Sequence, residues 1–145
     1  MRKIISYLLT GLQFLLLVVF ALSGPVLPSG IVSVIFFGAG LFLGIWAIFS
    51  IGINNLTVFP LPLKDTTLSR EGPYKWIRHP MYTAILLVTI PLTIEYINIS
   101  RVVVQVLLVI DLLVKVHFEE NALSRDVNGY EIYKRYSKKF IPYLY

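Results

Sequence analysis

The densest group of polar and aromatic side chains lies in residues 72–82, which read Gly-Pro-Tyr-Lys-Trp-Ile-Arg-His-Pro-Met-Tyr. Gly72 and Pro73 predict a turn, and Pro80 can open a helix because its missing N–H costs little at the first helical position. Arg78 and His79 should therefore stand at the start of a helix, where they offer a fixed cation and a proton acceptor. The alternative is an interfacial belt, with Trp and Tyr at headgroup level and Arg on phosphate.

A second group, residues 117–123, contains the adjacent carboxylates Glu119 and Glu120. Adjacent carboxylates at a helix end are often solvated, but these follow an apolar segment. Part of their charge should then be desolvated and need a cationic partner. Arg78, His79 and Lys115 are the candidates, if the chain brings the two groups together.

Asp111 and Lys115 are four residues apart on one helix face, and Glu119 extends that face by another turn. Ionisable residues in a membrane helix should face a protein or water-filled interior, which favours a function for Lys115 and Glu119. A structural Asp–Lys pair, with Lys115 reaching towards the interface, is the alternative. For Asp111 the sequence leaves catalytic and structural roles open.

Several other chemistries find no support. The chain has no cysteine, which excludes disulfides and thiolate metal sites. His79 and His117 lack ligand spacing, so we predict no metal site. Nucleophile-elbow, Walker and dinucleotide motifs are absent from the sequence. The net charge of +5 occurs in a chain that is 57% hydrophobic, which favours a basic membrane-facing rim over nucleic-acid binding.

Two long apolar runs could cross a membrane, since a membrane helix needs about 20 apolar residues. They are residues 4–22 and 31–53, joined by residues 23–30, whose two prolines and two glycines predict a tight turn. Arg2 and Lys3 make a signal peptide the alternative for the first run. Its length and the weakly cleavage-like Ser-Gly-Pro that follows favour a retained helix.

Two shorter apolar segments, residues 81–94 and 102–118, predict a helical hairpin with its turn in residues 95–101. Four crossings then place the N-terminus, the loop 54–79 and the tail on one face, with Arg101 on the other. Because those three segments carry the other lysines and arginines, this face should be cytoplasmic. The basic residues are Arg2, Lys3, Lys64, Arg70, Lys75, Arg78, Arg125, Lys134, Arg135, Lys138 and Lys139.

Tyr130, Tyr133, Tyr136 and Phe140 recur at three- and four-residue steps with basic residues between them. This pattern predicts an amphipathic helix at the membrane interface. The sequence as a whole therefore predicts an all-α integral membrane bundle forming a single domain, residues 1–145. It would contain about four transmembrane helices, the third and fourth as a hairpin, plus this C-terminal amphipathic helix.

The two polar groups, in this order, resemble the isoprenylcysteine carboxyl methyltransferase and phospholipid methyltransferase superfamily of membrane enzymes. Its signature is similar to G-P-Y-x-x-x-R-H-P-x-Y, a hydrophobic hairpin, E-E-x-x-L, and G-Y-x-x-Y ending in I-P. The resemblance covers residues 68–142, which divides the chain into two N-terminal transmembrane helices, 1–56, and a methyltransferase-like catalytic region, 68–145. A glycine that commonly follows Tyr82 by two residues is Ala84 here, which is still small. The matching residues are Gly72, Pro73, Tyr74, Arg78, His79, Pro80, Tyr82, Glu119, Glu120, Leu123, Gly129, Tyr130, Tyr133, Ile141 and Pro142.

The resemblance implies an enzyme that binds S-adenosylmethionine without a Rossmann domain. It implies catalytic roles for Arg78, Glu119 and Glu120, and places Lys115 towards the methyl acceptor. The cofactor-binding residues that it implies are Tyr74, Trp76, Ile77, His79, Pro80, Tyr82 and Glu119.

The predicted function is an integral membrane S-adenosylmethionine-dependent methyltransferase that acts on a lipid or lipid-modified acceptor, with a prenylcysteine-type carboxylate favoured. A phospholipid amine N-methyltransferase and a non-catalytic membrane interaction protein are the alternatives. A sterol reductase using NADPH is disfavoured because so short a chain has too few helices. The oligomeric state stays open, and Gly38, Gly40 and Gly44 are interpreted as intramolecular packing sites.

Overall fold

The computed structural model describes residues 2–51 and 70–142, and this part of the chain contains five α-helices. The prediction of an all-helical chain is confirmed for these residues. The end of the second predicted helix at Ile53 and most of the loop 54–79, with Lys64, lie outside them. The helices are α1 (Arg2–Leu22), α2 (Ile31–Ile51), α3 (Pro80–Glu95), α4 (Ile99–Asp126) and α5 (Tyr130–Tyr136), with a 3₁₀ turn over Gly72–Lys75.

Local chemistry explains where the two hairpin helices begin. Pro80 is the first residue of α3, the position that tolerates a missing N–H best. Asn98 caps α4, since its side-chain oxygen accepts a hydrogen bond from the backbone N–H of Arg101 at 2.8 Å. A turn between these helices is confirmed, but it covers only residues 96–98 of the predicted 95–101. Helix α4 begins before the predicted residue 102 and continues beyond residue 118 to Asp126, because Asn98 caps it and its last turns are polar.

Helices α1 and α2 have 21 residues each and are long and apolar enough to cross a membrane. Most of their large apolar side chains are exposed, which suits lipid as the surrounding medium. Helix α3, with 16 residues, is a shorter apolar helix. Two helices of the described chain are therefore candidate membrane spans by length and composition.

The helices pack as two pairs around the hairpin of α3 and α4. Helix α1 lies along α4, and α2 lies along α3. Apolar burial thus holds the hairpin between the two N-terminal helices. The central core is formed by Leu16, Phe20, Leu92, Val104, Leu108 and Leu112.

Small residues allow α2 and α3 to approach closely. A Cβ atom on Gly40 would lie 2.8 Å from Val88 Cγ2 and 2.9 Å from the Ala84 carbonyl oxygen. At Gly44 it would lie 3.4 Å from Ala84 Cβ, whereas at Gly38 it would meet nothing within 4 Å. The prediction of intramolecular packing is confirmed for Gly40 and Gly44, and Ala84 keeps the small size that this contact requires.

At the end of the bundle distant from residues 72–82, the α1–α2 loop is fastened to the α3–α4 turn. Glu95 accepts hydrogen bonds from the backbone N–H groups of Ser29, at 2.7 Å, and Gly30, at 2.8 Å. Arg101, fully buried, donates from Nη2 to the Pro25 carbonyl at 2.7 Å. These contacts, which we call the far-end clasp, hold α1 and α2 on either side of the hairpin.

The C-terminal segment differs from its prediction. A helix is confirmed at Tyr130–Tyr136, but Phe140 lies beyond its end. Tyr130, Tyr133 and Phe140 are buried within the protein, while Tyr136 is 81% exposed. The interpretation of an aromatic face turned to the membrane is wrong for the three buried rings, because they pack beneath the segment that precedes α3.

Candidate active site

Residues 72–79 reach the site through a tight turn against α2. Gly72 has φ +54°, and a Cβ there would lie 2.0 Å from Ser50 Oγ and 2.9 Å from Trp46 Nε1. A side chain would be strained by both the backbone and the lack of space. The 3₁₀ turn that follows buries Tyr74, which is 8% exposed.

Backbone hydrogen bonds join the residues after α5 to residues 76–79. Arg78 N–H donates to the Lys138 carbonyl at 2.7 Å, and His79 N–H to the Lys139 carbonyl at 3.1 Å. Lys138 N–H donates to the Trp76 carbonyl at 2.9 Å. The backbone of the Arg-His pair is therefore fixed before α3 begins. Side-chain donors add Tyr133 Oη to the Tyr74 carbonyl at 2.7 Å and Thr83 Oγ1 to the Phe140 carbonyl at 3.0 Å.

Arg78 connects the start of α3 to the end of α4. Its Nε donates to Glu120 Oε1 at 2.7 Å, and the two side chains are only 8% and 11% exposed. Its Nη1 donates to the carbonyls of Ser137 and, at 3.3 Å, Lys134. Of the three candidate partners that the sequence left open, Arg78 pairs with Glu120, and His79 lies near both glutamates.

His79 lies between both glutamates. Its Nδ1 is 3.5 Å from Glu119 Oε2, and its Nε2 is 3.3 Å from Glu120 Oε1. Burial lowers the pKa of His79, but hydrogen bonding to Glu119 and Glu120 outweighs burial and raises the pKa above its usual value. The imidazolium form suits this place because each of its ring nitrogens can donate to a carboxylate.

Tyr82, one turn into α3, orients Glu119. Its hydroxyl donates to Glu119 Oε2 at 3.2 Å, and its ring stacks on that of His79 with centroids 5.6 Å apart. The Glu119 side chain stays 26% exposed, more than its neighbours Glu120 and His79. Glu119 is thus the more accessible carboxylate, and Glu120 is committed to Arg78.

These groups surround a cavity of about 270 Å³, which we call the site cavity. Its size is close to the lower end, about 300 Å³, of typical ligand sites. Helices α1, α2, α3 and α4 and the segment before α3 all contribute to its wall. The lining residues are Gln13, Ile48, Ile51, Tyr74, Arg78, His79, Pro80, Met81, Tyr82, Ile85, Lys115 and Glu119.

Most of the residues that the sequence selects lie together on this wall: Tyr74, Arg78, His79, Pro80, Tyr82, Lys115 and Glu119. Three others lie off it. Trp76 is 43% exposed and packs on Trp46 with ring centroids 6.0 Å apart. Ile77 is buried and pairs with Lys138 through a parallel β-bridge, and Glu120 lies behind Arg78. Their predicted roles stay predictions.

Five lining residues were missed by sequence reasoning: Gln13, Ile48, Ile51, Met81 and Ile85. The sequence does contain a pattern that could have indicated Gln13, because Ser6, Thr10 and Gln13 lie at helical spacing on one polar face of an apolar run. All three are buried in the structure. Ile48 and Ile51 resemble every other apolar residue of α2. They could not be selected without the fold.

A larger apolar cavity of about 750 Å³, which we call the outer groove, is open along α2 and α3. Its wall includes Phe36 of α2, Leu87 and Ile90 of α3, and Ile141 of the tail. Helix α3 contributes Thr83 to this groove and Tyr82 to the site cavity. One helix therefore borders both an apolar groove and a polar site.

Two membrane-length apolar helices and a polar cavity lined by ionisable side chains are consistent with an integral membrane enzyme. The family model described as the isoprenylcysteine carboxyl methyltransferase (ICMT) family matches residues 31–125, which is more than half of the chain. The chain belongs to this family, whose members are membrane methyltransferases. Comparisons with curated proteins and with solved structures found no match.

Proposed function

We propose that the chain is an S-adenosylmethionine-dependent methyltransferase that methylates a carboxylate on a lipid-modified acceptor of the prenylcysteine type. The observation that carries this proposal is the joint placement of Glu119 and Lys115 on the wall of one cavity beside the Arg-His-Pro segment. The family match supports methyl transfer as the reaction class.

The residues of the site cavity fit the charges of S-adenosylmethionine. That molecule carries a sulfonium, an ammonium group and a carboxylate. Glu119 presents a partly exposed carboxylate for a cation, and the Tyr74 and Tyr82 rings at the wall offer aromatic faces to a cation. Tyr74, His79, Tyr82 and Glu119 are the residues that we propose hold the cofactor.

The bound cofactor supplies an activated methyl group for in-line displacement. Catalysis then depends on alignment and on exclusion of water. Lys115 orients the acceptor carboxylate, while the Arg78–Glu120 pair keeps the ends of the hairpin together. A carboxylate is nucleophilic as it stands, so no side chain has to remove a proton from it.

An amine acceptor fits the site less well. An amine must lose a proton, and His79 and Glu119 are the nearest proton acceptors on the wall. The two carboxylates beside His79 raise its pKa and so favour the protonated ring, which cannot accept a proton from an amine. This feature favours the carboxylate acceptor.

In the membrane arrangement that we propose, all four long helices cross the bilayer and the site cavity faces the cytoplasm. The excess of lysine and arginine at that end supports this orientation. The far-end clasp then lies at the opposite face. The outer groove, apolar and bordered by α3, is suited to the lipid chain of the acceptor.

The test is transfer of labelled methyl from S-adenosylmethionine, with purified protein in detergent, to N-acetyl-S-farnesylcysteine or to phosphatidylethanolamine. We expect transfer to the first and saturable binding of S-adenosylhomocysteine. Glu119→Gln should abolish both, whereas Glu131→Gln, at an exposed position of α5, should change neither. Transfer to phosphatidylethanolamine alone would support the amine alternative. Absence of transfer and of binding would support a non-catalytic protein.

A further inference from the structure

We infer that Gln13 of α1 is a positioning residue that holds the Lys115 ammonium at the wall of the site cavity. The inference rests on the proposed function, in which Lys115 orients the acceptor. It extends the site to α1, which lies outside residues 31–125, where the chain matches its family.

The contact begins with the sequence of α1. Ser6, Thr10 and Gln13 are its buried polar residues, and they share the face that packs on α4. In lipid, a polar face on an apolar helix needs a polar partner within the protein. Lys115 is part of that partner face on α4.

The geometry fixes the ammonium group from two sides. Lys115 Nζ donates to Gln13 Oε1 and lies 3.5 Å from Thr10 Oγ1. The same atom lies 5.5 Å from the centre of the Tyr82 ring, on the cavity side. Lys115 is 1% exposed, so its position is set by these neighbours rather than by solvent.

The partners on α1 are neutral, and this determines what Lys115 can bind. Among the described residues, the ion pairs within 4.0 Å do not include Lys115. The oxygens of α1 that hold the buried ammonium carry no charge, so they leave it able to attract an incoming anion. Gln13 therefore locates the charge without neutralising it, which a glutamate at this position would do.

Two substitutions of Gln13 distinguish the loss of the hydrogen bond to Lys115 from neutralisation of the Lys115 charge. Gln13→Met keeps the length and shape of the side chain but removes the oxygen, and Gln13→Glu places a negative charge beside Lys115. We expect either variant to raise the KM for N-acetyl-S-farnesylcysteine about tenfold or more, as loss of a charged hydrogen bond predicts. The KM for S-adenosylmethionine and the affinity for S-adenosylhomocysteine should stay within about twofold. The control is Leu12→Ala, on the exposed face of α1, which should leave all three values unchanged.

The outcomes are distinct. If the unmodified chain transfers no methyl group, the proposed function fails. If it does, and both Gln13 variants leave the acceptor KM unchanged, the inference about Gln13 is wrong. An equal loss of S-adenosylhomocysteine affinity in Gln13→Met would also overturn it, since Gln13 would then support the bundle as a whole. Thermal unfolding of each variant identifies that case.

Discussion

Arg78 and Glu120, which are 42 positions apart in the chain, meet through a 2.7 Å contact between Nε and Oε1. This ion pair joins the segment that precedes α3 to the last third of α4, which ends at Asp126. It closes the hairpin at the end where the site cavity lies. The hairpin is thus closed by an ion pair at this end, and at the other end the far-end clasp attaches the α1–α2 loop to it.

Removing one partner of this pair should destabilise the protein strongly. Because both side chains are nearly buried, Glu120→Gln leaves the Arg78 charge without a carboxylate, whereas Arg78→Gln leaves Glu120 with His79 as its cationic neighbour. We expect a loss of about 3–5 kcal/mol in the free energy of unfolding for Glu120→Gln and a smaller loss for Arg78→Gln. The measurement is thermal and denaturant unfolding in detergent, with Arg78→Gln/Glu120→Gln as the double variant. The double variant should lose less than the sum of the single variants, and strict additivity would show that the pair is not coupled.

His79 should make stability depend on pH. Its folded-state pKa is raised, so the protonated ring is the form that folding favours. The stabilisation is fully present below the unfolded pKa of about 6.5 and is lost as pH rises through the folded pKa. The difference in Tm between the unmodified chain and His79→Gln should therefore shrink from pH 6 to pH 9. His117→Gln, on the exposed side of α4, is the control and should show no such trend.

Gly72 should tolerate no side chain. Gly72→Ala places a Cβ 2.0 Å from Ser50 Oγ at a φ of +54°. We expect a loss of about 1–3 kcal/mol in the free energy of unfolding and weaker S-adenosylhomocysteine binding, because the turn must move away from α2. Gly38→Ala is a matched control, since its Cβ would meet nothing within 4 Å. A Gly72→Ala protein as stable as Gly38→Ala would contradict the packing of the turn on α2.

Glu95 should matter for stability and not for ligand binding. Glu95→Ala removes the acceptor of the Ser29 and Gly30 N–H groups, so the α1–α2 loop loses part of its attachment and keeps the contact of Arg101 with Pro25. Since α3 separates this residue from the site by roughly 24 Å, we expect a lower Tm with nearly unchanged S-adenosylhomocysteine affinity. Glu131→Ala, which removes an exposed ion pair with Lys134, should change neither value. A large fall in affinity for Glu95→Ala would mean that the two ends of the bundle are coupled.

Hydropathy and local signals were sufficient for the order of the helices and for the start of α3, but not for the polar last turns of α4. Residues 81–94 predicted α3 closely, because Pro80 opens the helix and the apolar run ends at Glu95. The need for a cationic partner followed from the cost of burying carboxylates next to an apolar helix, but the choice among Arg78, His79 and Lys115 required the fold.

The parts that could not be predicted depend on tertiary contacts. The spacing of Tyr130, Tyr133 and Phe140 is the same whether a helix packs on lipid or on protein, so their burial was missed. The orientation of Trp76 depends on a 3₁₀ turn whose shape is set by its fit against α2. The role of Gln13 could not be predicted because the sequence does not show that α1 packs on α4.

The pairing of α1 with α4 has a consequence for how the protein is made. A helix that carries Asp111, Lys115 and Glu119 enters lipid poorly on its own. Because a chain is synthesised from its N-terminus, α1 reaches the bilayer first, with Thr10 and Gln13 ready to receive Lys115. Helix α1 would then lower the cost of inserting α4 into the bilayer by offering polar partners to its buried lysine.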